Sequence, residues 1–273
     1  MSTVSRKRIV NVLFKEWRVL FTDVGSTLIV TLLPFMIIGQ LLLYVWLAVT
    51  FAGDKALNSS VFQSAIAKLQ AAVPAVAGLS PTEQFLVLLL NQFTFFMLLI
   101  PVMIAMNTVT FSVVDEKLSG SLEALLATPV RTWELLLGKA LAGAIPALVI
   151  TWAVAGVFLL AVTLMGWGSL VSMVLTPVWF LSLFLLTPAV TVLSFLLGVI
   201  GSARAKDSRS AQNIVMIVIL PLFGLIAIQV TGMVWFTTPG ALALALGLIA
   251  ADFVVLRIAV RLFQRESIVL KWR

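Results

Sequence analysis

The chain has 273 residues, of which 62% are hydrophobic and 11% are charged, whereas ordinary globular proteins have roughly 45–50% and about 25%. Its mean hydropathy of +1.16 is typical of proteins whose surroundings are mostly lipid. The sequence contains no Cys and no His, which excludes disulfides, thiol nucleophiles, His-ligated metals and acid–base chemistry by His. The composition therefore predicts an all-α membrane protein with several spans.

The N-terminal stretch 5–22 is predicted to form an amphipathic helix that lies on the membrane. Ile9, Leu13 and Trp17 recur at helical spacing, and the basic residues of this stretch fall on the other side. Basic amphipathic helices with an aromatic residue at the apolar edge bind at the membrane interface. The alternative is a leader that is simply solvated.

Six apolar runs are long enough to cross a bilayer, for which about 20 residues are needed. They are residues 26–50, 84–111, 138–165, 170–200, 212–234 and 239–260. The fourth run contains Thr176-Pro177 and Thr187-Pro188, where we expect a bend or a break. The loop 51–83 is predicted to hold a short helix that rests on the outer leaflet or caps the pathway.

The distribution of basic residues predicts the orientation. Sixteen of the 18 Lys and Arg residues lie in the two terminal stretches and in segments 112–139 and 201–211, and only Lys55 and Lys68 lie in the loop 51–83. Cytoplasmic loops carry the excess of positive charge. We therefore expect both termini in the cytoplasm and an even number of spans. The absence of Cys fits a prokaryotic inner (plasma) membrane, which is the expected location. Nucleic-acid binding is not expected, because the charges form no single patch.

Motifs for catalysis are missing from the sequence. No Gly-x-x-x-x-Gly-Lys-[Ser/Thr] loop occurs, so the chain cannot cradle a nucleotide's phosphates in that way. No pair of carboxylates stands at helical spacing within a span. A membrane-embedded enzyme is therefore disfavoured, and we expect no catalytic residue, no metal and no cofactor bound by this chain.

A short helix is predicted within residues 115–139, between spans 2 and 3. Gly120 can cap it, and Glu123 stands where an acidic side chain reaches back to free amides. Three residues at helical spacing form an apolar face two turns long: Leu122, Leu125 and Leu126. Such a face on so short a helix must dock on lipid, on its own bundle or on another protein.

Thr128 and Pro129 are predicted to separate this short helix from the third span. A residue that precedes Pro avoids the α region, which ends the short helix at Thr128. Pro suits the first turn of a helix, with Thr128 as the cap. We therefore expect the next helix to start at Pro129.

The same segment resembles the motif of ABC type-2 membrane permeases, the transmembrane subunits of ABC exporters. The matching residues are Glu116-Lys117, Gly120-Ser121-Leu122-Glu123, Leu125-Leu126, Thr128-Pro129-Val130 and Gly138-Lys139. Six spans, cytoplasmic termini and an interfacial helix before span 1 agree with this resemblance. The loop 51–83 departs from it, because it is longer than in the smallest relatives.

The resemblance implies a coupling helix that fits a groove on a separate ATPase subunit. It implies two ATPase subunits that hold ATP and Mg, a second permease copy, a pathway at the dimer interface, and outward alternating access. The contact or hinge positions would be Glu116, Lys117, Gly120, Leu122, Glu123, Leu125, Leu126, Thr128 and Pro129. The alternative is that the charged residues among them are only solvated caps.

Polar residues inside the spans are candidates for the pathway. A carboxylate inside a membrane helix is costly and marks a functional hypothesis, so Asp252 in span 6 is the first candidate, unless it reaches the interface. Asn107 and Thr108 near the cytoplasmic end of span 2 are further candidates. For these two, and for Asn91 and Gln92 near the outer end, hydrogen bonds between helices are the favoured interpretation.

Two other functions remain open. A secondary carrier or channel would use an ion site near Asp252 and would be active without an ATPase. A receptor-like or scaffold subunit would bind an ATPase and transport nothing. Predominantly apolar spans slightly favour a lipidic or amphipathic cargo.

Overall fold

The computed structural model describes residues 3–51, 60–118, 130–204, 219–225, 227–228 and 237–262. These segments are helical apart from short turns, and no strand occurs in them. The predicted all-α fold is therefore confirmed for the described part of the chain.

Nine α-helices carry the labels used below. They are α1 (Thr3–Thr22), α2 (Val24–Phe51), α3 (Ser60–Ala72), α4 (Pro81–Leu118), α5 (Thr132–Val162), α6 (Val171–Val174), α7 (Pro177–Leu181), α8 (Thr187–Arg204) and α9 (Thr238–Leu262). Short 3₁₀ turns and π-type turns connect some of them: Pro74–Gly78, Thr163–Trp167, Gly168–Leu170 and Ser182–Leu186. Residues 219–225 and 227–228 are also helical.

Five segments of the described chain are long and apolar enough to cross a membrane. They are Val30–Phe51, Pro81–Ala105, Trp133–Val174, Pro177–Gly201 and Thr238–Arg261. These segments overlap five of the six predicted spans. The remaining prediction, 212–234, lies mostly outside the described residues, so the sixth span stays a prediction.

The fourth predicted span is interrupted at Thr176-Pro177, as its sequence indicates. Thr176 is extended, with φ −84° and ψ 163°, and its hydroxyl accepts a hydrogen bond from the Trp179 amide, so that α7 starts at Pro177. Ahead of Pro188 the helix widens into a π-type turn, in which the Thr187 hydroxyl donates to the Ser182 carbonyl at 2.7 Å. A proline lacks an amide hydrogen, and such a turn accommodates the missing bond.

Helix α4 forms the centre of the bundle. In its apolar segment Pro81–Ala105, 82% of the residues of the most apolar window are buried, against 11% in Val30–Phe51 and 11% in Thr238–Arg261. Helix α4 packs against α8, α5 and α2. The rings of Phe93 in α4 and Phe158 in α5 stack with their centroids 3.6 Å apart. The first described span, α2, packs directly on this central helix, whereas the last one, α9, packs on α8.

Helix α3 packs on the end of α4 that the charge pattern predicts to be outer. Its Phe62 ring meets the Phe85 ring edge-on at 5.0 Å, and the Gln70 amide donates to the Gln84 side-chain oxygen at 2.8 Å. Leu69 is fully buried. The predicted short helix is therefore present, and its apolar face is covered by the protein's own bundle.

Candidate coupling region

Two of the nine predicted coupling residues lie within a described helix, at the end of α4 that the charge pattern predicts to be cytoplasmic. Glu116 and Lys117 belong to the last helical turn of α4, which ends at Leu118. The other predicted contact residues lie outside the described residues: Gly120, Leu122, Glu123, Leu125, Leu126, Thr128 and Pro129. The coupling helix between spans 2 and 3 therefore stays a prediction.

Helix α5 starts at Thr132, so the expectation that it begins at Pro129 is wrong. Arg131 is extended, with φ −73° and ψ 146°, and stands in the capping position. The carboxylate of Glu134 accepts a hydrogen bond from the Arg131 backbone amide at 3.0 Å. An acidic side chain at the third helical position fixes a helix start by satisfying a free amide. This bond overrides the preference of Pro for the first turn.

The same glutamate joins α5 to α1. Glu134 is buried, and its carboxylate accepts a hydrogen bond from the Ser5 hydroxyl at 2.5 Å. An ion pair to the guanidinium of Arg8 lies at 3.5 Å. A buried carboxylate is stable only when its oxygens are satisfied by donors, and here α1 supplies two of them.

A second ion pair lies further along the same two helices. The ammonium of Lys139 is buried and lies 2.8 Å from a carboxylate oxygen of Glu16. Nearby, the Trp17 indole donates to the backbone carbonyl of Ala142 at 2.7 Å. We call this set of contacts the α1–α5 clamp, formed by Ser5, Arg8, Glu16 and Trp17 of α1 with Glu134, Lys139 and Ala142 of α5.

Gly138 allows the two helices to approach this closely. A Cβ atom at this position would lie 2.8 Å from the Cβ of Val12 and 3.2 Å from the Ile9 carbonyl oxygen. Real Cβ atoms do not come that near to a neighbour, so only glycine fits. Both residues of the Gly138-Lys139 pair in the permease motif thus belong to the clamp. Gly138 allows the close approach of α1 and α5, and Lys139 supplies the buried ammonium group.

The predicted N-terminal helix is present, and its apolar stripe faces α5. Ile9 and Leu13 are buried, Trp17 is partly buried, and Phe21 is exposed. The contact of this helix with the membrane surface stays a prediction.

Sequence reasoning missed most of the clamp. It singled out Gly138 and Lys139 only through the family motif, and Glu134, Ser5 and Glu16 not at all. An acidic residue three positions after Arg131 is a signal for a helix start. No local pattern, however, reveals that Ser5 reaches Glu134 from 129 positions away.

Asp252 lies on the face of α9 that turns into the bundle. It stands seven residues after Ala245 and seven before Ala259, both of which are fully buried, and this spacing keeps one helix face. The side chain is half-buried, and its Oδ1 atom has no hydrogen-bond partner among the described residues. Asp252 therefore stays a candidate for the pathway.

The other polar candidates differ from one another. The Thr108 hydroxyl donates to the carbonyl of Ile104 in its own helix at 2.9 Å, and the side chain of Asn107 is outside the described residues. Within the described chain, neither amide atom of Gln92 has a hydrogen-bond partner, and nor has the Asn91 Nδ2 atom. The expectation that Gln92 joins two helices by a hydrogen bond is therefore wrong.

Long apolar helices packed around a buried central helix define an integral membrane protein of the all-helical class. A family model described as "ABC-2 family transporter protein" matches residues 10–241, which is most of the chain and includes segment 115–130. The chain belongs to this family and is a membrane permease component of an ABC transporter, a transport component that is not itself catalytic. No curated protein and no solved structure matches it.

Proposed function

We propose that the chain is the membrane-spanning subunit of an ATP-driven exporter, which works as a dimer and couples through residues 115–130 to two separate ATPase subunits. The permease family supports this function. The sequence contains no phosphate-binding loop, and in this proposal the partner subunits would bind the ATP and Mg. Both termini would lie in the cytoplasm, and the membrane would be a prokaryotic inner membrane.

The observation that carries the proposal is the way in which the coupling segment is anchored. Helix α4 ends at Leu118 and α5 begins at Thr132. The intervening residues thus join the most buried span to a helix whose first turns are clamped to α1 by Glu134 and Lys139. A force on this segment acts on α4 at one end, and on α5 together with α1 at the other.

Each predicted contact residue has a physical task in this coupling. Leu122, Leu125 and Leu126 would supply the apolar adhesion to a groove on the ATPase. Glu116, Lys117 and Glu123 would set the orientation of the docked helix through charge complementarity. Closure of the ATPase subunits around ATP would push the segment, and the packed helices would transmit that push as a rigid-body movement.

Two copies are proposed because the first and last spans of a single copy are largely uncovered. Only 11% of each of these apolar windows is buried. Lipid covers part of that surface, and a second copy would cover the rest. The pathway would lie between the copies, with outward transport by alternating access.

The test is a double variant, Leu125→Asp/Leu126→Asp, co-expressed with the ATPase encoded beside this chain. We expect the complex to be lost, or its ATP hydrolysis to fall by at least about tenfold, because truncation of a docking hot spot costs that much. The matched control is Ala71→Asp/Ala72→Asp, at two exposed positions of α3. The melting temperature of each variant without the ATPase verifies its fold.

If the Leu125→Asp/Leu126→Asp variant formed the complex and hydrolysed ATP as the wild type does, the coupling proposal would be contradicted. A secondary carrier or channel is then the alternative, which the buried and unpartnered Oδ1 of Asp252 in the described chain favours. That function predicts transport in proteoliposomes without any ATPase, and its loss in Asp252→Asn. A scaffold subunit would bind the ATPase and transport nothing.

A further inference from the structure

Helix α2 carries two polar side chains on the face that the rest of the described chain leaves uncovered. Gln40 is exposed and Tyr44 is 55% exposed, whereas Ile38 and Leu42 on the opposite face are buried. The Gln40 amide donates a hydrogen bond to the Tyr44 hydroxyl at 2.6 Å. The two residues thus form one polar patch on a mainly apolar surface.

This polar patch lies deep in the membrane. Gln40 stands ten residues after Val30, where the apolar segment of α2 begins, and this is about 15 Å along the helix at 1.5 Å per residue. That depth is near the middle of a hydrocarbon core of roughly 30 Å. Lipid tails offer no hydrogen-bonding group there, and polar groups that face them are costly. The patch therefore indicates that protein, and not lipid, covers this face of α2.

The hydrogen bond between the two residues satisfies only part of their polar groups. Gln40 retains its carbonyl oxygen and one N–H, and Tyr44 retains its O–H. Among the described residues, neither side chain makes a second hydrogen bond. The patch thus offers donors and an acceptor together, which makes it complementary to a copy of itself. Around a twofold axis along the membrane normal, the Gln40 carbonyl of each copy can accept from the Tyr44 hydroxyl of the other.

The side chains around the patch have the spacing of a packed helix pair. Met36, Gln40, Leu43 and Leu47 follow one another at intervals of four, three and four residues, and all four are exposed. This alternation is the pattern by which two parallel helices interlock. Beside Gln40 stands Gly39, where a Cβ atom would meet nothing within 4 Å. Small residues allow membrane helices to approach each other closely.

We propose that two copies of this chain pair in the membrane through the α2 seam, which is formed by Met36, Gln40, Leu43, Tyr44 and Leu47. Gln40 and Tyr44 of each copy form hydrogen bonds to Tyr44 and Gln40 of the other. A single polar residue in such a seam fixes the register of a helix pair, so the two α2 helices lie at equal depth. The proposal rests on the dimer of the proposed function and specifies the surface that forms it.

The first test uses single cysteines, because the natural sequence has none. Membranes that contain this chain alone are oxidised with copper phenanthroline and analysed for cross-linked dimers. Leu43→Cys should form a disulfide with its counterpart, because equivalent seam positions of a parallel pair lie side by side. The matched control is Leu246→Cys at an exposed position of α9, which should stay monomeric.

The second test removes the hydrogen bonds between the copies. The dissociation constant of the dimer in liposomes is measured by energy transfer between labelled copies as the lipid content is raised. Gln40→Leu/Tyr44→Phe should raise this constant roughly tenfold, because two hydrogen bonds between membrane helices are lost. The matched control is Thr163→Val, since the exposed Thr163 hydroxyl donates to the Leu159 carbonyl in its own helix. It should behave as wild type.

Three results would overturn the α2 seam and leave the dimer standing. They are a cross-link at Leu246→Cys but not at Leu43→Cys, an unchanged dissociation constant of the double variant, and labelling of Leu43→Cys by a membrane-impermeant maleimide, which would mean that water covers this face. A wild type without energy transfer would overturn the dimer of the proposed function together with the seam. Coupling to the ATPase is tested separately by the Leu125→Asp/Leu126→Asp variant.

Discussion

In the described part of the chain, Glu83 and Glu134 each stand at the third position of a helix, and their surroundings differ. Glu83 of α4 accepts hydrogen bonds from the amide and the hydroxyl of Ser80, at 2.9 Å and 2.7 Å, and is exposed. Glu134 of α5 accepts from the Arg131 amide, from Ser5 and from Arg8, and is buried. The same local motif thus has two roles. Glu83 only caps α4, whereas Glu134 caps α5 and also joins α5 to α1.

We expect Glu134→Gln to lower the melting temperature of the detergent-purified protein by roughly 3–8 °C. The amide presents a donor where the carboxylate presents an acceptor, and one buried donor loses its partner. Glu83→Gln is the matched control and should change the melting temperature by less than about 2 °C, because water satisfies exposed groups. Equal effects of the two substitutions would contradict the long-range role of Glu134.

At the residue scale the sequence is informative only where partners are close in the chain. Ser80 and Glu83 form a capping pattern that can be read directly. The partners of Glu134 and Lys139 lie 129 and 123 positions away, and no periodicity links residues at such distances. The contacts of the clamp could therefore be identified only from the structure and not from the sequence.

Helix α5 contains glycines in two different surroundings. At Gly138 a Cβ would meet Val12 at 2.8 Å, whereas at Gly156 nothing lies within 4 Å. The first position thus forms the contact with α1, and the second stands in open space.

We predict that Gly138→Ala destabilises the protein by about 1–3 kcal/mol, because the added methyl group forces α1 away from α5. Gly156→Ala in the same helix should be neutral, or stabilising by up to about 1 kcal/mol, because alanine favours the helix. Melting temperatures of both variants provide the measurement. A neutral Gly138→Ala would mean that α1 does not pack as closely as described.

Helix positions could be predicted well where length and apolar character determine them. Five predicted spans overlap apolar helices, and the interruption at Thr176-Pro177 follows from local backbone preferences. The predicted start of α5 at Pro129 was wrong. The Arg131 amide donates a hydrogen bond to the Glu134 carboxylate, and this bond outweighs the preference of Pro for the first turn of a helix. The predicted coupling helix remains untested, because residues 119–129 lie outside the described part of the chain.

The orientation of the whole molecule can be measured directly, because the sequence contains no Cys. A single Ala77→Cys, exposed beside α3, should react with a membrane-impermeant maleimide in intact cells. A single Arg131→Cys, exposed before α5, should react only after the membrane is permeabilised, since the positive charges assign this segment to the cytoplasm. The reverse pattern would invert the proposed topology.

Composition was sufficient to predict the class of the molecule but not the order of its helices. The segments Val30–Phe51, Pro81–Ala105 and Thr238–Arg261 have the same hydropathy of 2.2, yet the middle one is mostly buried and the others are mostly exposed. Lipid tails are as apolar as the side chains of neighbouring helices. Apolar character therefore does not distinguish a lipid-facing helix from a central one.

The clamp also dictates an order of events during synthesis. Ser5, Arg8 and Glu16 leave the ribosome more than a hundred residues before Glu134 and Lys139, so α1 has no access to these partners while α2, α3 and α4 are being made. The N-terminal helix can form the clamp only after the first turns of α5 have been synthesised. Docking of α1 on α5 therefore takes place only after α2, α3 and α4 have been made.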